Sequence, residues 1–215
     1  MVAIVRNIHA PGNPAGRTGV SGFAEPVREG TEHEGRDFRG RRTRCRNGNG
    51  IPTTCRLLMT DTSLLIRLAE DDDDFILALV PRFVDFTLPP WRRRHECIEG
   101  IRNDLLRHLE DQPANSYLFV AEDADGDRVG FIHLQRTADF FTGRSNCHIS
   151  DLAVVPKYEG NGVGKALLAH AEDWAREHHC QLVTLAVFPG NERARALYEV
   201  SGYAPDLLRL AKSVR

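Results

Sequence analysis

Two short stretches in the second half of the chain combine residue types that can bind a phosphate and move a proton. The first, Glu159–Lys165, reads EGNGVGK and follows an apolar run that ends at Pro156. A strand, a glycine turn and a helix N-terminus in this order present free N–H groups and the positive end of a helix dipole, which together bind a phosphate or pyrophosphate. A tight turn without a ligand uses glycines in the same way, so this stretch alone leaves both interpretations open.

The glycine stretch does not match the two best-known phosphate-binding loops. A Walker A loop requires a lysine followed by Ser or Thr, but Ala166 follows Lys165, and Glu159 stands where the first glycine should be. A dinucleotide fingerprint GxGxxG counted from Gly160 places Lys165 at its last glycine, and the count from Gly162 fails as well. The stretch therefore has the strand, turn and helix N-terminus of a phosphate-binding loop but matches neither the Walker A motif nor the dinucleotide fingerprint.

The second stretch, residues 191–203, reads NERARALYEVSGY. Together, the two stretches resemble the GNAT superfamily of acyl-CoA-dependent N-acetyltransferases, whose loop is [QR]xxGx[GA] and whose later motif is NxxAxxxYxxxG[FY]. The later motif is matched at each of its named positions by Asn191, Ala194, Tyr198, Gly202 and Tyr203. The resemblance covers roughly residues 62–215 and is strongest from 147 to 204. One departure is Glu159, which replaces the usual Arg or Gln of the loop and places a carboxylate where it would repel a phosphate.

The resemblance implies an N-acetyltransferase that moves an acetyl group from acetyl-CoA to a primary amine by direct attack in a ternary complex. The backbone of Leu152, Ala153 and Val154 would pair with the pantetheine arm, and an N–H there would polarise the thioester carbonyl. Asn191 would contact the cofactor or hold the loop after its strand. The pyrophosphate would bind the N–H groups of Gly160, Asn161, Gly162, Val163, Gly164 and Lys165.

The resemblance also implies two groups that move protons. Tyr198 would protonate the leaving thiolate, a role suited to a phenol with an ordinary pKa near 10. Asp151 would take the amine proton directly or through a water, although a hydrogen-bonded structural carboxylate would occupy the same position. His133 and His148 are the alternative bases. No set of residues has the spacing of a metal site, so no metal is expected.

The acceptor pocket is expected between the first two helices, at about residues 84–95. Trp91 and the arginines at 92–94 would receive a carboxylate-bearing amine there, or else form a solvated basic turn. A small amine, an aminoglycoside-like amine, an amino acid and a protein N-terminus all remain open as acceptors. An acyl-CoA-binding sensor or partner module without turnover is the alternative function.

Patterning predicts the elements that must position these groups in the order β α α β β β α β α β. Residues 63–69 read as a strand, 70–83 as a helix with acids in its first turn, and 116–136 as a hairpin around DADGD. A helix from Val163 would bury Val163, Ala166, Leu167, Ala171, Trp174 and Ala175. A last strand is expected at 204–214. The fold class is mixed α/β: a GNAT-like, mostly antiparallel central sheet with a splayed parallel strand pair, flanked by helices.

Composition restricts the class of protein. The chain has 215 residues, 41% of them hydrophobic, and a formal net charge of −2, which gives no general argument for nucleic acid or an anionic membrane. No apolar stretch approaches the roughly 18 residues that span a bilayer, and the opening residues lack the apolar core of a secretory signal. Five cysteines without a CxxC pair suit a reducing compartment. A cytoplasmic protein is expected, and a homodimer is compatible with this pattern.

The first 58 residues differ from the rest. They contain ten arginines against five acids and nine of the 18 glycines, with almost no apolar periodicity from which to build a core. We therefore expect residues 1–58 to be a disordered Arg/Gly-rich extension, with the N-acetyltransferase domain at 59–215. A nucleic-acid tail is the alternative interpretation, and Met59 marks the point from which the native product would begin if the extension is not part of it.

Overall fold

The computed structural model describes residues 64–214 in full and residues 2–4 by their backbone. The expected extension at 1–58 therefore lies outside the described residues, apart from the backbone of residues 2–4. None of the described helices has the length and apolar composition needed to cross a bilayer.

A twisted sheet of six strands forms the centre of the described fold. The strands are β1 (Val2–Ile4), β2 (Leu65–Leu68), β3 (Ser116–Glu122), β4 (Arg128–Ala138), β5 (Ser145–Val154) and β6 (Val183–Thr184). Their order is β1-β5-β4-β3-β2, and β6 also pairs with β5. Every pairing is antiparallel except that of β5 with β6. The expected fold class, with its single parallel pair, is confirmed.

Four α-helices flank this sheet. They are α1 (Asp73–Ala78), α2 (Arg94–Asp111), α3 (Val163–Glu177) and α4 (Glu192–Val200). Short 3₁₀ helices follow α1 at Val80–Val84 and follow β5 at Pro156–Tyr158. Proline at the first turn of both 3₁₀ segments suits a helix start, because its missing N–H would have had no partner there.

Two apolar cores cover the two faces of the sheet. One packs the inner faces of α3 and α4 against Leu152, Val154 and their neighbours. The other packs α1, the first 3₁₀ helix and α2 against Phe131 and Ala153. Because side chains alternate along a strand, consecutive residues of β5 point into different cores.

Three expected details of the fold differ from the structure. Residues 204–214 form no strand, and their leucines are exposed, since the described part of the sheet offers them no paired partner. The face of α3 buries Leu168, whereas Ala166 is only half-buried. The long helix expected from 70 to 83 is a short α1 followed by a 3₁₀ helix, because Pro81 cannot donate a helical N–H.

The acids before α1 do more than favour the helix dipole. Asp72 is buried and makes no side-chain cap; its carboxylate binds Arg67 at 2.7 Å and Arg128 at 2.6 Å. Burial is the largest influence and raises the pKa of Asp72, but the hydrogen bonds from Arg67 and the Glu70 amide and the charges of Arg67 and Arg128 together lower that pKa below its ordinary value. Asp72 thus joins β2, β4 and the start of α1.

Candidate active site

The glycine loop joins β5 to α3 through two residues in the left-handed region. Gly160 has φ +83° and Gly162 has φ +84°, and a Cβ on either residue would meet nothing within 4 Å. No side chain caps α3, whose first backbone bond runs from the N–H of Ala166 to the carbonyl of Gly162 at 2.9 Å. The preceding amides have no acceptor within the helix. Free donors beside open space fit a phosphate group.

Glu159 does not stand beside this loop as an isolated carboxylate. It is 9% exposed and forms ion pairs with Arg82 and Arg193, one through each oxygen. The Nε of Arg82 is buried and has no hydrogen-bond partner among the described residues. Glu159 therefore holds two positive charges beside the loop, which the expectation of electrostatic repulsion did not include.

The Arg82–Glu159–Arg193 cluster borders a cavity of about 270 Å³ between the first 3₁₀ helix, the glycine loop and the start of α4. Sequence reasoning missed both arginines. Arg82 lies 77 positions from Glu159, and Arg193 occupies an unspecified position of the second motif. No periodicity or motif connects them, so only the folded chain brings them together.

β5 separates from its parallel neighbour partway along its length. Only Cys147 and His148 pair with β6. The register with β4 then shifts, leaving Ser150 as an extra residue opposite the step between His133 and Leu134. A bulge of this kind bends its strand, so the short β6 and the bulge form the splayed pair that the resemblance implies.

Beyond the residues that pair with β6, the same edge of β5 pairs with β1. Val2 is opposite Ala153, Ala3 is opposite Leu152, and Ile4 is opposite Asp151. These are the backbone positions at which the resemblance places the pantetheine arm. An acyl donor that pairs with this edge must therefore displace β1.

Tyr198 reaches β5 from the core formed by α3 and α4. Its side chain is 4% exposed, and its hydroxyl is buried with no hydrogen-bond partner among the described residues. Burial, with a smaller contribution from Tyr203, raises the pKa of Tyr198 well above its ordinary value. The phenol therefore keeps its proton throughout the physiological range.

Asp151 lies on the other face of β5. It is 5% exposed, and its Oδ2 is 2.9 Å from Nδ1 of the fully buried His133. No other hydrogen bond to the Asp151 side chain is present among the described residues. The structure thus brings together Asp151 and one of the two alternative bases.

His148 is held elsewhere. Its Nδ1 is 2.8 Å from Oγ1 of Thr184, so this contact joins β5 to β6 at the start of the splay. Asp151 and Tyr198 therefore lie on opposite faces of β5, beside the edge that pairs with β1, with the glycine loop beyond the end of the strand.

This arrangement of splayed strands, glycine loop and buried tyrosine coincides with a family match. Residues 81–203 match the acetyltransferase (GNAT) family. The chain belongs to this family. It is 30% identical over 141 residues to the uncharacterized N-acetyltransferase YhfO of Bacillus subtilis (strain 168), covering 66% of this chain and 90% of that protein. It is 36% identical over 95 residues to streptothricin acetyltransferase of Streptomyces lavendulae, covering 44% of this chain and 48% of that protein.

A solved GNAT structure has the same fold. The aminoglycoside N-acetyltransferase AAC(6')-Iy in complex with CoA superposes with a TM-score of 0.52 and 17% identity, covering 74% of this chain and all of that one. At this identity the likeness shows the fold alone. The family expected from the two motifs is confirmed.

Asn191 has a structural role in this GNAT domain. It precedes α4, and its Oδ1 accepts a hydrogen bond from the N–H of Ala194 at 3.2 Å. An asparagine at this position satisfies an amide that the helix leaves unpaired. Its contact with a cofactor stays a prediction.

The expected acceptor segment packs directly on the loop before Asn191. A Cβ at Gly190 would lie 2.3 Å from the carbonyl oxygen of Thr87, so only glycine permits this approach. Arg92 lies over the ring of Phe188, with its guanidinium carbon 5.5 Å from the ring centroid. Arg94 instead donates to the carbonyl of Val84. Of the three arginines expected to receive an acceptor, Arg94 is therefore already engaged with its own segment.

Metal-ligating residues do not cluster in residues 64–214. No group of three or more His, Cys, Asp and Glu side chains is placed there to hold a metal ion. The candidate site of this GNAT domain therefore consists of amides, arginines, a phenol and a carboxylate.

Proposed function

We propose that this chain is an N-acetyltransferase that transfers an acetyl group from acetyl-CoA to a primary amine by direct attack in a ternary complex. The observation that carries the proposal is the pair of buried groups on either side of the β5 edge: an Asp151 carboxylate and an unpartnered Tyr198 hydroxyl. A base on one side and an acid on the other match the two proton movements of amide formation.

Asp151 acts as the base. An alkylammonium must lose a proton before its nitrogen has a lone pair, and the amine nitrogen loses another when its bond to the acetyl carbon forms. Asp151 accepts such a proton, directly or through a water. His133 occupies one of its oxygens, Oδ2, at 2.9 Å, and the other oxygen has no hydrogen bond among the described residues. The second oxygen therefore serves the acceptor.

Tyr198 acts as the acid. The carbon–sulfur bond breaks as the amide forms, and the sulfur leaves with the electron pair. The Tyr198 O–H supplies a proton to that sulfur and yields a free thiol. Because burial raises the pKa of Tyr198, the phenol is protonated when it is needed and regains its proton readily afterwards.

In this proposal the donor binds at the end of β5. Acetyl-CoA supplies an activated acetyl group and an anionic pyrophosphate. The amides from Gly160 to Lys165 bind the pyrophosphate, and the arginines held by Glu159 add positive charge next to it. The backbone at Leu152–Val154 binds the pantetheine arm after β1 has left the edge.

The acceptor is a small-molecule amine. Streptothricin acetyltransferase and an aminoglycoside N(6')-acetyltransferase of Stenotrophomonas maltophilia, which is 30% identical over 103 residues, carry small-molecule substrates in their names. The segment at 84–95 lines the acceptor pocket in this proposal, and Arg92 offers a cation to a substrate that bears a carboxylate.

Thiol release from acetyl-CoA in the presence of a panel of amines tests the proposal. The panel contains polyamines, aminoglycosides, amino acids and peptide N-termini, and each reaction is analysed for the acetylated product. We expect amine-dependent thiol release that follows product formation. Tight acetyl-CoA binding by calorimetry without turnover of any amine would instead support the acyl-CoA-binding module, and absence of binding would contradict both functions.

A further inference from the structure

A line of hydrogen bonds runs from Asp151 through three polar side chains to Gln135 on β4. Nδ1 of His133 contacts Asp151 at 2.9 Å, and Nε2 of His133 contacts the Ser116 hydroxyl at 2.8 Å. The same hydroxyl contacts Nδ1 of His108 at 2.9 Å, and Nε2 of His108 contacts the amide nitrogen of Gln135 at 2.9 Å. The line, which joins β5, β4, β3 and α2, lies outside both the glycine loop at 159–165 and the motif at 191–203.

The two ends of the line determine the direction of every hydrogen bond in it. The carboxylate of Asp151 can only accept, and the amide nitrogen of Gln135 can only donate. His108 must then accept at Nε2 and carry its proton on Nδ1, from which it donates to Ser116. Ser116 donates in turn to Nε2 of His133, whose Nδ1 proton is donated to Asp151. Each imidazole is satisfied at both nitrogens in this arrangement.

Hydrogen bonds in this direction require both imidazoles to be neutral, and the surroundings of His108 favour its neutral form. Burial and then the neighbouring His133 lower the pKa of His108, and the two rings lie 4.6 Å apart. Asp104 on α2 and Asp151 on β5 raise the pKa of His108, whereas Arg107, which pairs with Asp104, lowers it. Burial of the imidazole is the largest influence, and the pKa is lowered on balance.

We propose that His133, Ser116, His108 and Gln135 form a one-directional hydrogen-bond chain that donates to Asp151 and orients its carboxylate as the base. This proposal rests on the proposed function. These four side chains are positioning residues, since they act on the reaction through Asp151. The chain donates a proton to Oδ2, offsets the cost of burying the carboxylate and turns the other oxygen toward the acceptor.

Asp151, His133 and Ser116 follow one another in the order of an Asp–His–Ser catalytic triad, in which the serine is the nucleophile. The hydrogen bonds of the Ser116 hydroxyl exclude that role in the resting protein. Its oxygen accepts from His108 while its proton is donated to His133. A hydroxyl held from both sides serves to connect the two histidines.

The tautomers of the two histidines test the chain without any turnover. In the full-length protein labelled with 15N-histidine, we expect His133 and His108 to be neutral near pH 7.5, both with the proton on Nδ1. Ser116→Ala should change the tautomer population of at least one of them. An Nε2-protonated or cationic His133 in the unsubstituted protein would overturn the proposal.

Kinetics test the effect of the chain on Asp151. Ser116→Ala should lower kcat/KM for the amine about tenfold, as expected for loss of one hydrogen bond in a charged network. It should also move the acidic limb of the pH profile to higher pH and leave the affinity for acetyl-CoA unchanged. Ser116→Thr retains a hydroxyl and should restore the profile.

Ser145→Ala is the matched control, because the Ser145 hydroxyl on β5 also makes a hydrogen bond, to Arg136 at 2.8 Å, but lies outside the chain. An equal loss in Ser145→Ala, or a Ser116→Ala profile that falls in height without moving along the pH axis, would contradict the proposal. If the unsubstituted protein acetylates no amine, the proposed function fails, whereas the tautomer measurement still decides whether the chain exists.

Discussion

Asp151 and Tyr198 lie on opposite faces of β5, and their polar groups differ in hydrogen bonding. On the α2 face, Asp151 begins a line of hydrogen bonds in which both histidines have partners at both ring nitrogens. On the α3 and α4 face, the Tyr198 hydroxyl is buried among apolar side chains with no partner among the described residues. A base must be kept charged, which requires donors, whereas an acid must be kept neutral, which burial alone achieves.

This contrast predicts different responses in activity and in stability. Groups that are satisfied in the folded state stabilise it, and their removal has a cost. A hydroxyl left unsatisfied for a ligand costs stability until that ligand binds. The two faces can therefore be separated by substitutions of nearly the same size.

The largest effect is expected for Asp151→Asn. The amide has the shape of the carboxylate and can still accept from His133, but it cannot take a proton from the amine. We expect kcat to fall by roughly 10²–10⁴, with the affinity for acetyl-CoA unchanged. Steady-state kinetics and calorimetry measure the two quantities. Full activity in Asp151→Asn would transfer the role of base to another group.

Tyr198→Phe should lower kcat by about 10², the lower end of the range for an acid, because a phenol of raised pKa is a weak proton donor that water can partly replace. The free energy of unfolding should stay the same or rise by up to about 1 kcal/mol, since the lost hydroxyl has no partner to leave behind. Denaturant unfolding of the ligand-free protein checks the second point. A clear loss of stability would show that the hydroxyl is satisfied, and the contrast between the faces would disappear.

Gly162→Val should weaken donor binding without changing the surroundings of Asp151 or Tyr198 on the two faces of β5. A valine at φ +84° is strained, and its side chain would fill the open space beside the loop amides. We expect acetyl-CoA affinity to fall about tenfold, or about 1.4 kcal/mol, because the side chain would occupy space in which the phosphates contact the loop amides, whereas the strain lowers stability in the free and bound protein alike.

Gly143→Val is the control for Gly162→Val. Gly143 has φ +67° and open space in the turn between β4 and β5, at the opposite end of β5 from the glycine loop. Its substitution introduces the same strain and should leave calorimetric affinity for acetyl-CoA intact. Equal losses in both variants would mean that the glycines at 160 and 162 serve the turn alone.

Ala3→Pro should have the smallest effect, and it concerns the edge between the two faces. Proline removes a backbone donor from β1 and disfavours its pairing with β5. Since three residue pairs hold β1 by about 1 kcal/mol at most, acetyl-CoA affinity should rise by up to about fivefold. Titration of the full-length chain measures this change. Unaltered or weaker binding would show that β1 and the donor do not compete.

Much of the scaffold could be predicted from local pattern. The hairpin of β3 and β4, the apolar face of α3 and the start of α4 at Asn191 follow from alternation, helical period and capping, each of which acts over a few residues. The last strand expected at 204–214 was wrong, because an apolar alternating stretch becomes a strand only when a neighbouring strand offers hydrogen bonds.

The sequence by itself determined the family and the order of the site: a strand that ends at a glycine loop, and a helix that carries Tyr198 one strand later. These features lie in contiguous motifs, since backbone geometry and helix starts are local properties. Only the tertiary structure decided that Arg82 joins Glu159 across 77 positions and that Asp151 ends a line through His133, Ser116 and His108. Such side chains have no common spacing, because strand pairing and helix packing determine which of them meet.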